Sequence, residues 1–87
     1  MSSVKLNTQN LIDLFREAKE ARATYKSWRF GQSVFNAGLN LFPNQFEGIR
    51  ATPYDPFYND SCVPEMVKRL FDSDAVTHFY SDEPTTL

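Results

Sequence analysis

The run SWRFGQSVFNAGLNLFP, residues 27–43, decides the fold. Val34, Phe35, Gly38, Leu39, Leu41 and Phe42 spread apolar surface over a wide arc at helical spacing, while Gln32, Asn36 and Asn40 form a narrow polar stripe at i, i+4 and i+8. A helix with so little polar face belongs at the centre of a fold, covered from several sides. Ser27 is the candidate cap, with a break in the chain between Lys26 and Gly31. Pro43 stops the helix at or before Phe42, because a proline pushes the residue ahead of it out of the α region. Gly38 in the helix interior gives up roughly 1 kcal/mol against alanine. Close approach by another segment would justify that loss.

On the N-terminal side, the spacing predicts a helix from Thr8 to Tyr25, capped by Asn7 or Thr8, with Asn10 and Asp13 as a second start. Leu11, Leu14, Ala18, Ala21, Tyr25 and Trp28 fall on one face at about 100° per residue, which reads as a core stripe. Arg16, Lys19, Arg22, Lys26 and Arg29 form the neighbouring stripe, and Asp13, Glu17 and Glu20 lie on the far flank. The basic residues gather toward the C-terminal end, where the helix dipole favours them.

On the C-terminal side, NQFEGIR supplies one or two turns that direct Phe46 and Ile49 inward. TPYDPFYND, residues 52–60, follows. Pro53 and Pro56 fix their own φ and restrict Thr52 and Asp55, so this stretch reads as a stiff extended loop. Its aromatic residues suit a strap packed over the helices, with Phe57 inward and a tyrosine at the rim. A third main helix spans CVPEMVKRLF, with Asp60 or Ser61 as its cap and Pro64 in its first turn. Val63, Met66, Val67, Leu70 and Phe71 form its buried face. DAVTHFY reads as a short terminal helix. Residues 1–6 and 81–87 are expected to be flexible termini, and the acids of SDEPTTL are placed to cover the basic stripe.

An 87-residue chain is one domain. Cys62 is its sole cysteine, which excludes an intrachain disulfide and suits a reducing compartment. MSSVKLNTQNLIDLF has no apolar core of a signal peptide, and no stretch reaches the ~18 apolar residues of a membrane span. The expected location is cytoplasmic, with no membrane partner. Net charge is −2 but unevenly placed: residues 1–50 carry seven cations against four acids, and residues 51–87 carry two against seven.

Catalytic motifs are sparse. Cys62 and His78 are the only candidates for a nucleophile and base, and neither sits in a specific motif. Asp55 and Asp60 lack a calcium-loop spacing. Asp55 has backbone amides of its own turn within reach, and Asp60 has a helix to cap. Gly31, Gly38 and Gly48 are too scattered for a phosphate loop. No catalytic residue, cofactor or metal is expected. Arg50 beside the loop is expected to bridge Asp55 or Asp60, with Gln32 and Asn36 completing a polar seam to the second helix.

RFGQSVFNAGLNLFP, residues 29–43, and IRATPYDPFYND, residues 49–60, resemble a group of small uncharacterised proteins of tailed phages and prophages. The pattern of that group runs Gly-Gln-x-x-Phe-Asn, Pro, Ile-Arg-Gly-Thr, then Asp-Pro-Phe-Tyr-x-Asp. Gly31, Gln32, Phe35, Asn36, Pro43, Ile49, Arg50, Thr52, Asp55, Pro56, Phe57, Tyr58 and Asp60 match it. Ala51 stands where the group has glycine, so the turn need not adopt a positive φ. The resemblance implies a phage origin, a compact helical fold and action on a host protein.

These readings combine into an all-α domain of three main helices plus short helical turns, closed by the proline-aromatic loop. The expected function is non-enzymatic: binding and modulating or inhibiting a host protein with an acidic surface. Arg16, Lys19, Arg22, Lys26 and Arg29 would supply charge, and Trp28, Tyr54 or Tyr58 apolar anchorage. Nucleic-acid binding through the same stripe is the alternative, disfavoured by the acidic balance. A Cys62–His78 enzyme is a remote third. A homodimer stays open, since so small a chain gains buried area by self-association.

Overall fold

The computed structural model describes residues 5–81. They form an all-α domain in the order α1 (Thr8–Thr24), α2 (Phe30–Leu41), α3 (Pro43–Glu47), a 3₁₀ turn (Asp60–Cys62), α4 (Val63–Leu70) and α5 (Ser73–Ser81). The Cα radius of gyration is 12.0 Å, matching the roughly 12 Å that compact chains of this length adopt.

α2 is the central element, as its narrow polar stripe predicts. Val34, Phe35, Ala37 and Gly38 are buried along it. α1 lays Leu11, Leu14 and Ala18 against it. The next turn departs from the expected stripe: α1 ends at Thr24, Ala21 is half-buried and Tyr25 is 52% exposed. The apolar spacing runs on through residues 25 and 28, but the backbone has already left the helix.

α1 begins with a reciprocal cap. Asn7 Oδ1 accepts from the Asn10 amide and Asn10 Oδ1 accepts from the Asn7 amide, both at 2.9 Å. These bonds satisfy two backbone donors that the first turn would otherwise leave open. α2 ends at Leu41, and Pro43 then opens α3, where its missing N–H leaves nothing unpaired. The turn into α3 swings Phe46 back over α2. Its buried ring lies where a side chain on Gly38 would have to be. The glycine's poor helix propensity is thus offset by the contact it permits.

α4 is one residue shorter at each end than CVPEMVKRLF, and Pro64 occupies its first turn. Val63, Met66, Val67 and Phe71 are buried, whereas Leu70 is only half-buried. α5 follows at once, with Asp72 Oδ1 accepting from the Ala75 amide at 2.9 Å. Its Phe79 stacks on Phe15 of α1 at 5.8 Å, and Phe15 stacks on Phe30 at 6.0 Å. That file of rings fastens the last helix to the first two.

The flexible terminus expected over residues 1–6 does not include Leu6. Leu6 is buried and forms an isolated parallel bridge with Phe71. Its amide donates to the Leu70 carbonyl at 2.9 Å, and its carbonyl accepts from the Asp72 amide at 2.8 Å. Ser81, likewise expected in a flexible end, is the last residue of α5. The acidic residues Asp82 and Glu83 lie outside the described residues.

Candidate functional site

Residues 49–60 form a strap across the N-terminal end of α2, built largely from local hydrogen bonds. The Ile49 carbonyl accepts from the Thr52 amide at 3.0 Å and from Thr52 Oγ1 at 2.6 Å. Asp55 accepts from the Ala51 amide at 2.7 Å and the Phe57 amide at 2.9 Å. The carboxylate therefore ties down its own loop, as its position between two prolines suggests. Ala51 has φ +62°, so the turn keeps a positive φ although alanine stands there. The bond from its amide to the Asp55 carboxylate fastens the turn in this conformation.

The strap buries Pro56 and sets the Phe57 ring edge-on to Phe35, with centroids 6.0 Å apart. Tyr54 is half-buried beneath the Arg69 guanidinium, 5.1 Å from its ring centroid. Tyr58 is 82% exposed. Phe57 inward and a tyrosine at the rim is the arrangement expected of a strap.

The polar seam exists, but its cation is Arg29 rather than Arg50. Arg29 Nη2 donates to the Phe57 carbonyl, and Arg29 Nε lies 3.7 Å from Asp60. Asp60 Oδ1 also accepts from the Gly31 amide at 2.8 Å. Arg29 occupies the capping position of α2 and has no acceptor to offer. Gln32 Oε1 accepts from the Arg29 amide at 3.3 Å. The missing carboxylate for the first turn is brought in by the strap. Asp60 thus caps α2, not the following helix, and Ser27 makes no capping bond among the described residues. Asn59 caps the 3₁₀ turn, its Oδ1 accepting from the Ser61 amide at 3.0 Å. A side chain on Gly31 would collide with the Pro56 carbonyl and Asp60.

Arg50 pairs with Glu47 at 3.4 Å and stands 6.0 Å over the Phe35 ring. It bonds neither Asp55 nor Asp60 among the described residues. Asn36 is half-buried without a side-chain hydrogen bond there, whereas Asn40 donates to Glu17 of α1 at 3.0 Å. The α2 stripe therefore contributes at Gln32 and Asn40.

The basic stripe does not form one rod. Only Arg16, Lys19 and Arg22 lie on α1; Lys26 is in the following turn and Arg29 belongs to the seam. Arg16 pairs with Asp13 at 3.5 Å. Lys19, Arg22 and Lys26 are exposed and carry no ion pair among the described residues. The turn joining α1 to α2 closes with a hydrogen bond from the Trp28 amide to the Tyr25 carbonyl at 3.0 Å. It stacks the Tyr25 and Trp28 rings with centroids 4.4 Å apart and planes 18° from parallel. Arg22 and Lys26 flank this corner in sequence, and Lys19 stands further back along α1. Arg29, next to Trp28, links the corner to the strap that carries Tyr58. Periodicity placed Tyr25 in the core, and only the chain break moves it to the surface.

Cys62 ends the 3₁₀ turn and His78 lies in α5, both half-buried. No hydrogen bond joins them, and no cluster of potential metal ligands forms, among the described residues. No described helix is long and apolar enough to cross a membrane. No family model, curated protein or solved structure matches the chain.

Proposed function

We propose that this chain is a non-enzymatic binding protein of phage type that docks on an acidic surface of a host protein and thereby modulates or inhibits it. The docking face is the α1–α2 corner, where Tyr25 and Trp28 stack at the end of the helix that carries Lys19 and Arg22, with Lys26 in the turn. The observation that carries this reading is the exposed Tyr25 ring stacked on the half-buried Trp28, close in sequence to cations that have no ion pair among the described residues. Aromatic rings give large contact area at small entropic loss, and cations without partners steer an acidic surface into register. Tyr58 extends the face on a strap already ordered, so little freedom is lost when it is immobilised. The likeness of residues 29–43 and 49–60 to phage proteins supplies the host origin of the partner.

Nucleic-acid binding is the second reading, because a stacked aromatic pair beside lysine and arginine is also a platform for a base. Two measurements separate them. Tagged chain is used to capture partners from host lysate, in parallel with a Lys19→Glu/Arg22→Glu/Lys26→Glu variant of unchanged melting temperature. Capture of a saturable protein partner by the first and not the second supports the proposal; equal capture overturns the proposed face. Retention of single-stranded DNA or RNA at low salt, lost as salt rises, would transfer the face to the second reading.

A further inference from the structure

The Leu6–Phe71 bridge has a consequence at the surface. It brings Lys5 beside α4 and the first turns of α5, where an open groove of ≈370 Å³ is lined by Lys5, Lys68, Phe71, Ser73, Val76 and Thr77. No carboxylate lines this groove among the described residues, although the chain as a whole is acidic. Lys68 and Arg69 are the only cations after residue 50, and one of them faces a lysine from the other end of the chain. Ser73 and Thr77 are exposed, and their hydroxyls make no hydrogen bond among the described residues.

We propose that this groove binds a small amphiphilic anion, a phosphate or carboxylate bearing an aryl or short alkyl group. Val76 and the methylene stems of Lys5 and Lys68 offer the apolar contact over the buried Phe71 floor; the Lys5 and Lys68 ammonium groups and the two hydroxyls offer donors for the anionic head. Asp74 follows Ser73 in the first turn of α5 but does not line the groove. The Asp72 carboxylate is committed to the Ala75 amide. Glu65 meets Lys68 only at 4.0 Å with both side chains more than half exposed, a pairing weak enough to yield. Lys68 also stands 5.8 Å over the Tyr80 ring, which holds its ammonium near the protein surface. The groove volume falls within the roughly 300–1,000 Å³ of small-molecule sites.

The test is a titration of the ¹⁵N-labelled chain followed by amide chemical shifts. Phenyl phosphate is the probe, with phenylacetate as the carboxylate arm, and inorganic phosphate and benzyl alcohol as half-ligands. Saturable shifts centred on Lys5, Phe71, Ser73, Val76 and Thr77 are expected with one or both amphiphilic anions. Each half-ligand is expected to bind more weakly, and Lys68→Gln to weaken the amphiphile about tenfold. If Lys68→Gln disturbs the rest of the spectrum, Lys5→Gln replaces it. Shifts that stay linear into tens of millimolar, that map elsewhere, or that persist unchanged in a folded lysine variant overturn the site. Equal binding of either half-ligand overturns its amphiphilic character.

Discussion

Asp60 reaches across the fold to the second residue of α2, its Oδ1 accepting from the Gly31 amide at 2.8 Å over a sequence separation of 29. Helix caps ordinarily come from the residue just ahead of the helix. Here that residue is Arg29, which cannot accept, and instead holds the segment that brings the cap. Strap closure and α2 initiation are therefore one event. Asp60→Ala should destabilise the domain by about 1–2 kcal/mol, from the lost cap and the lost charge at the helix dipole. Thermal melting would show a fall of roughly 4–8 °C per kcal/mol for a domain of this size. Asp60→Asn, which keeps the acceptor, should restore about half the loss.

Ala51→Gly should raise stability. The residue has φ +62°, a conformation that disfavours any Cβ by roughly 1–2 kcal/mol. Glycine's extra freedom in the unfolded chain offsets about 0.4–1 kcal/mol of that. A net gain of about 0.5–1 kcal/mol is expected in denaturant titration, and Ala51→Val should move the midpoint in the opposite direction.

Gly38→Ala should destabilise, although alanine favours helix by roughly 1 kcal/mol. The added methyl would occupy the space of the buried Phe46 ring, and overpacking typically costs about 1–3 kcal/mol. The expected net loss is about 1–2 kcal/mol by chemical denaturation. A paired Phe46→Leu change should recover part of it, which a simple propensity effect would not allow.

Phe57 and Tyr58 are adjacent in sequence but should separate stability from binding. Phe57→Ala removes the edge contact with Phe35 and should cost about 2 kcal/mol. Tyr58→Ala alters a ring that is 82% exposed and should leave stability within about 0.5 kcal/mol, while weakening capture of the proposed partner. Melting and capture measured on both variants give opposite rankings if the strap has both roles.

The helices and the strap were legible because their signals are local. Pro43 marks a helix end and Pro64 a helix start, the narrow polar stripe marks α2 as central, and Gly38 marks a close approach. The break after Thr24 was harder to place. Apolar spacing continues through Tyr25 and Trp28, and neither glycine nor proline interrupts it, so a side chain that is exposed read as core and five cations read as one row. The seam was legible in its residue types but not its pairing. Arg29 and Arg50 are both near the loop in space or sequence, and only the path of the turn decides which reaches Asp60. Leu6 carried no signal at all, since a single buried residue paired with Phe71 has no period.

That pairing has a consequence for chain connectivity. Leu6 and Phe71 are held together across most of the described chain, so the stretch between them is closed into a loop. A linker from the end of α5 to Leu6, with new termini opened at the exposed Lys26–Ser27 turn rather than in the strap, should give a circular permutant that keeps the strap and the α2 cap intact.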